Sequence, residues 1–323
     1  MGAETVGSRP ALLADIGGTH TRLALSDGVG GFRAVEVMHT ADFDSADQAI
    51  ADYLGELAGG ERPDRAVLAV AGPVVGNRVR LTNADWDIDG DATARVFGFR
   101  RVRLINDFVA VARALPLLGA DQRTAIGAWA PEPRGPMVAL GPGTGLGVAG
   151  LVPYGESGWL PVAGEGGHVT LPVMTDAESA VLAVLRRRVD HVSAERVLSG
   201  IGLPALDAAI AVVEGEAPQP DRESERVLAA ARAGEARALR ATGMFVDLLA
   251  TVAGDLALTF GATGGVYLAG GMPHYLGELF DRDRFRARFE TKGRSSPYVR
   301  RIPTAIVTHP QPGLLGLSAL AAE

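Results

Sequence analysis

No cysteine occurs in this chain, which excludes disulfides, thiolate-held metals and cysteine nucleophiles together. Lysine is almost as scarce: of the 31 basic residues, Lys292 alone is a lysine. The common nucleotide-binding loop needs a lysine directly after its last glycine, and no such pair exists here, so that fold is excluded as well. Charge of positive sign is also in deficit. The formal net charge of −7 argues against a nucleic-acid partner, because phosphate backbones attract basic surfaces. Met1–Pro10 is polar and lacks the apolar run of a secretory signal. The most apolar stretch, Phe245 to Met272, is interrupted by Asp247, Asp255 and several glycines, and is expected not to span a bilayer. These absences predict a soluble cytoplasmic protein without a membrane partner. A length of 323 residues leaves room for two packed domains, at roughly 100–200 residues each.

What is present centres on two glycine turns. Leu12-Leu13-Ala14-Asp15-Ile16 runs into Gly17-Gly18-Thr19, and Val138-Ala139-Leu140 runs into Gly141-Pro142-Gly143-Thr144-Gly145. Each reads as an apolar strand, a glycine–threonine turn and a second apolar strand. Glycines let backbone N–H groups converge on an anion without Cβ obstruction, and a threonine hydroxyl can join them. A tight hairpin needing positive φ explains either turn alone. The pair, with Asp15 just before one of them, points instead to a nucleotide triphosphate held from two sides, hence to phosphoryl transfer. Asp15 is placed to hold Mg²⁺ through water, since Mg²⁺ keeps much of its hydration shell. Gly145, Gly147 and Gly150 also satisfy the dinucleotide fingerprint, but strand-like Val148–Val152 follows where that motif requires a helix, so a nicotinamide cofactor is rejected.

Along the chain, strands are expected at Ala34–His39, Arg65–Ala71, Val102–Ile105, Val169–Leu171 and Val266–Ala269. Helices are expected near Ser45–Leu57, Asp107–Leu115, Ala177–Val189, Ser193–Leu198, Glu223–Arg240 and Met244–Thr259, with two more opening near Pro273 and Pro312. Pro-rich connections are expected at Pro131–Pro136 and Ala217–Asp221. Meanders followed by alternating strands and helices indicate mixed α/β sheets. The two similar hairpins form a weak internal repeat, consistent with two related α/β halves.

Asn106-Asp107 follows a strand and opens a helix. Both residue types are favoured at such a cap, yet a carboxylate fixed at a strand end can also take a proton from a substrate hydroxyl, a contribution of about 10²–10⁴-fold. Gly164-Glu165-Gly166-Gly167-His168 surrounds a carboxylate and an imidazole with glycines, which suits a loop approaching a small ligand closely. Glu195 sits where a first-turn glutamate would complement a helix dipole. In company, two carboxylates, an amide and an imidazole suit a ligand made of hydroxyls, because a polar site discriminates by pairing each one.

Asp15-Ile16-Gly17-Gly18-Thr19, Leu104-Ile105-Asn106-Asp107-Phe108, Gly143-Thr144-Gly145-Leu146-Gly147, Gly164–His168, Ser193–Gly200, Gly265–Gly271 and Pro312–Gly316 stand in the order found in bacterial glucokinases. The chain resembles that family from about Leu12 to Ala321. The resemblance implies two actin-like (ribonuclease H-like) α/β domains around a central cleft, one from 1–117 plus 306–323 and a larger one from 118–305. It implies ATP-dependent phosphorylation of the glucose 6-hydroxyl, the first step of glycolysis, with Asp107 as general base. Asn106, Asp107, Glu165, His168 and Glu195 match the sugar-binding positions. Gly17, Gly18, Thr19, Gly143, Thr144 and Gly145 match the phosphate loops, Gly270-Gly271 the turn beside adenosine, and a homodimer is expected. His20 departs from the family, where asparagine is common, and so does Gly72-Pro73, where some members have Cys-Pro. Rivals on the same fold are a kinase for another hexose and a non-catalytic sugar-sensing regulator. The regulator would need an appended DNA-binding element, and about a dozen residues precede the first hairpin. An actin-like or chaperone-type ATPase would not need the Glu165/His168 cluster.

Overall fold

A computed structural model describes residues 9–57, 61–81, 85–219 and 222–323. Residues 1–8 of the N-terminal segment and 220–221 of the second Pro-rich connection lie outside the described residues. The chain divides into two compact units, Met1–Leu118 with Pro310–Glu323, and Gly119–His309.

The first unit is built on β1 (Ala11–Ile16), β2 (His20–Ser26), β3 (Phe32–His39), helix α1 (Ala46–Glu56), β4 (Arg65–Val70), the hairpin β5 (Arg78–Leu81) and β6 (Trp86–Asp89), helix α2 (Gly90–Phe97), β7 (Arg101–Asn106) and helix α3 (Asp107–Ala114). Its five-stranded sheet has the order β3-β2-β1-β4-β7, antiparallel across the first three and parallel across β1, β4 and β7. β1 is apolar at every position but Asp15 because both faces are covered. Leu12, Ala14 and Ile16 pack with Ile50 and Tyr53 of α1, while Ala11 and Leu13 pack with Val109 and Ala110 of α3.

The second unit contains β8 (Arg123–Ile126), β9 (Met137–Pro142), β10 (Leu146–Tyr154), β11 (Gly158–Gly164) and helices α4 (Asp176–Leu185), α5 (Gly202–Val213), α6 (Ser224–Arg232) and α7 (Ala236–Phe260). It continues with β12 (Gly265–Leu268), α8 (Gly271–Leu276), α9 (Arg282–Glu290), α10 (Ser296–Val299) and β13 (Thr304–Val307). The sheet order is β11-β10-β9-β12-β13-β8. An antiparallel meander of three strands followed by two parallel strands is the plan of the first sheet, with β8 added antiparallel at the edge. The internal repeat suggested by the two hairpins is therefore a repeat of whole sheets. The last helix, α11 (Pro312–Ala321), belongs to the first unit, where Leu314, Leu317 and Leu320 join the cluster beneath β1 and α3.

Among the described residues one helix, α7, is long and apolar enough to cross a membrane by length and composition. Phe245, Val246, Leu248, Leu249 and Val252 of that helix are buried in the core of the second unit.

Four expected elements differ. Ser193–Leu198 is a run of turns, not a helix, tied sideways to the 167–170 segment: Ala194 N donates to Val169 O and Glu195 N to Gly167 O, both at 2.9 Å. Val169–Leu171 forms a single bridge, Thr170 to Ser193, and Pro172 has no N–H with which to extend it into a strand. β10 runs past Pro153, which is tolerated because pairing with β9 has already ended at Leu151. The helix break expected near Ala241–Gly243 falls at Ala233–Glu235, where Gly234 takes φ +86°.

Candidate active site

In the first unit the residues singled out from the sequence collect at one edge of the sheet. Ile16 stands in register with Val70, and Val70 with Asn106, so the end of β1 and the end of β7 share the C-terminal edge of three parallel strands. Open α/β sheets bind ligands at such an edge. The Gly17–Thr19 turn is closed by Gly17 N donating to His20 O at 2.9 Å. A residue not anticipated from the sequence braces it: Thr40 Oγ1 donates to Gly17 O at 2.8 Å, and Thr40 N donates to Thr19 O at 3.0 Å. Thr40 lies just beyond β3, so only the β2–β3 register could have brought it to notice. His20 faces His39 across the same register, with ring centroids 4.9 Å apart.

Asp15 keeps 23% of its side chain exposed, with Arg22 at 3.8 Å. Desolvation pushes its carboxyl above the usual aspartate range, and the Arg22 guanidinium pulls in the opposite direction. Asn106 is the N-cap of α3, as its residue type favours: its Oδ1 accepts from Phe108 N at 2.9 Å and from Val109 N at 3.4 Å. Its Nδ2 donates to Gly72 O at 3.3 Å, which ties β7 to the Gly72-Pro73 corner after β4. Asp107, half-buried, is the first residue of α3, and Phe108 N donates to its Oδ1 at 2.8 Å.

The second unit brings together Gly143–Gly145, Glu165, His168 and Glu195. Glu195 is the hub. Its Oε2 accepts from Leu146 N at 2.9 Å, and its Oε1 lies 3.9 Å from His168 Nδ1. Glu165 Oε2 lies 3.8 Å from His168 Nε2 on the other side of the ring. Neither Gly143 nor Gly145 has positive φ, and what Gly145 and Gly167 provide is room. A Cβ on Gly145 would sit 2.5 Å from Glu195 Oε2, and one on Gly167 would overlap the Leu146 carbonyl. Gly143 N donates to Gly145 O at 2.8 Å, and Gly200 N donates to Gly143 O at 2.7 Å, so the 193–200 turns buttress the Gly143–Gly145 turn as well as carrying Glu195. Gly270 and Gly271 open α8 directly after β12. There Ala269 N donates to Leu140 O at 2.8 Å, which sets them beside the end of β9.

No group of three or more His, Cys, Asp or Glu side chains able to cage a metal occurs among the described residues. Asp15 offers a single carboxylate. That donor set fits a hydrated Mg²⁺ carried on phosphates, which needs one or two carboxylates and not a protein cage.

A family model described as Glucokinase matches residues 12–323. The glucokinase of Nitrobacter hamburgensis is 42% identical over 313 residues, covering 97% of each chain. The bifunctional protein glk of Burkholderia thailandensis is 43% identical over 314 residues, 97% of this chain and 49% of that one. The chain thus spans about half the length of the bifunctional relatives it matches. The crystal structure of a glucokinase from an Antarctic psychrotroph superposes with a TM-score of 0.87 at 35% identity, over 97% of this chain and 98% of that one.

Proposed function

The chain belongs to the glucokinase family and has its actin-like α/β fold, and from that premise we propose that it phosphorylates the 6-hydroxyl of glucose with ATP. The observation that carries this reading is Asp107, a half-buried carboxylate oriented by the Phe108 amide at the ligand edge of a parallel sheet. Asp107 accepts the proton of the 6-hydroxyl as that oxygen attacks the γ-phosphorus. The bond to the β–γ bridging oxygen breaks in line, leaving ADP. Asn106, Glu165, His168 and Glu195 pair the remaining hydroxyls. The Gly17-Gly18-Thr19 and Gly143-Thr144-Gly145 turns take the phosphates, and Gly270-Gly271 lie beside the adenosine. Asp15 would hold a hydrated Mg²⁺ through water, which would supply positive charge against the phosphate oxygens.

A cytoplasmic setting, where the product would enter glycolysis, rests on the proposed reaction. A homodimer rests on the family resemblance and is checked by light scattering.

One assay panel tests the reaction: several hexoses against ATP, ADP and polyphosphate, for the wild type and Asp107→Asn. Asp107→Asn is expected to lower kcat by about 10²–10⁴-fold with little change in the glucose KM. Intact turnover in the variant would remove Asp107 as the base. Preference for another hexose would redefine the substrate.

A further inference from the structure

At the opposite edge of the first sheet, where β1 and β4 begin and β2 ends, lies a cavity of about 840 Å³. Four arginines line it, Arg9, Arg33, Arg62 and Arg65, together with the acidic residues Asp27 and Glu61. A surplus of positive charge in one cavity runs against a chain whose formal net charge is −7.

The four arginines are not equally engaged. Arg33 holds Glu61 in a two-pronged ion pair, with Nη1 donating to Oε2 at 2.8 Å and Nη2 to Oε1. Arg65 works within the fold, donating to Asp64 Oδ1 at 3.2 Å, to Arg9 O at 3.0 Å and to Ala321 O at the end of α11. That last contact offsets the negative end of the α11 dipole, which would otherwise repel an anion here. Arg62 donates to the carbonyls of Leu54 and Glu61, which leaves its charge uncompensated. Among the described residues no carboxylate forms a salt bridge with Arg9 or Arg62, and both side chains are exposed.

We propose that this cavity binds an organic phosphate, its phosphoryl group on Arg9 and Arg62. Arginine forks match phosphate oxygens in pairs, and the Arg33–Glu61 pair shows the wall already taking an oxyanion in that geometry. Arg33 is paired with Glu61 and Arg65 with Asp64, so Arg9 and Arg62 set against Asp27 leave the wall one positive charge in surplus, a field that favours an anionic phosphoryl group. Pockets of about 300–1,000 Å³ hold small organic molecules, so the volume exceeds what a bare phosphate ion fills. Ser26, whose Oγ accepts from Ala11 N at 2.7 Å, keeps its hydroxyl proton for a polar body. The site stands at the other end of β1 from the Gly17–Thr19 turn, and so is separate from the phosphate turn of the proposed reaction.

Isothermal titration calorimetry on the full chain tests this, with fructose 1,6-bisphosphate and inorganic pyrophosphate as probes and saturating Mg–AMPPNP throughout to occupy the nucleotide site. The sugar bisphosphate is expected to bind more tightly than pyrophosphate. Its affinity is expected to drop at least tenfold in the exposed double variant Arg9→Ser/Arg62→Ser. In Glu61→Gln, which frees Arg33, it is expected to rise several-fold. The gain in Glu61→Gln cannot be produced by misfolding. Unchanged affinity in both variants, absence of heat with either probe, or equal binding of the two probes would overturn the proposal.

Discussion

In the first unit a hydroxyl braces the glycine turn: Thr40 Oγ1 on the Gly17 carbonyl, with its backbone N–H on Thr19. In the second unit a carboxylate does so: Glu195 Oε2 accepts the Leu146 amide and lies against Gly145, while Oε1 faces His168. Apart from the added edge strand β8 the strand plans are the same, so the difference lies in what is tied to the turn. A neutral brace fixes geometry and nothing else. Glu195 joins the Gly143–Gly145 turn and the Glu165–His168 pair into one network, so a change at either should be felt at the other.

The largest effect that can break this comparison is expected from Glu195→Ala. Loss of a hydrogen bond to a charged group costs about 1.5–3 kcal/mol, or about 10–150-fold in kcat/KM. Both the glucose KM and the ATP KM should rise in a coupled assay. A rise confined to glucose would show that Glu195 is a sugar ligand alone and that the Leu146 contact is incidental.

Next in size is a change in the first unit at the contact between α11 and α3. A Cβ on Gly316 would overlap the Ala110 carbonyl, which is backbone and cannot swing aside. Gly316→Ala is expected to destabilise by about 1–3 kcal/mol, seen as a Tm several degrees lower. An unchanged Tm would mean that α11 can slide on α3, and that the first unit is not held by this close approach.

A smaller effect is expected from Thr40→Val, which keeps the shape and removes two neutral hydrogen bonds, to Gly17 O and with Thr21 Oγ1, of which the one on the turn is worth about 1 kcal/mol. The ATP KM should rise about fivefold, and the glucose KM should stay where it is. Set beside Glu195→Ala, this separates a brace that serves the Gly17–Thr19 turn alone from one whose loss is felt by both ligands. Equal rises in the two KM values for Thr40→Val would erase the distinction.

The turns, Asn106-Asp107 and the Gly164–His168 loop were legible because their chemistry is local: glycine beside threonine, an acid at a strand end, an imidazole among glycines. Their assembly at one edge of each sheet followed from reading the strands correctly. What escaped depends on partners far along the chain. Thr40 carries no motif, and Glu195 looked like the opening of a helix because nothing nearby in sequence reveals that its amide goes to Gly167. The break between α6 and α7 was misplaced for the same reason. Gly234 and Gly243 are equivalent to a local eye, but Gly234 adopts φ +86° and ends α6, whereas Gly243 stays helical within α7 and lies against Arg284.

That pair leads to the smallest predicted effect and the sharpest contrast with Gly316. A Cβ on Gly243 would sit 2.7 Å from Arg284 Nη1, the tip of a flexible side chain and not a carbonyl. Arg284 holds Asp247 through Nε at 2.7 Å and Nη2 at 2.6 Å, and a modest swing would loosen that exposed pair, at a cost of about 0–1 kcal/mol. Against this, alanine inside a helix is favoured over glycine by about 0.8–1 kcal/mol. The two terms nearly cancel, so Gly243→Ala is expected to leave Tm within about a degree or two of the wild type by differential scanning calorimetry. A fall as large as that of Gly316→Ala would mean that the identity of the opposing atom, backbone or side-chain tip, does not decide which helical glycine can be replaced.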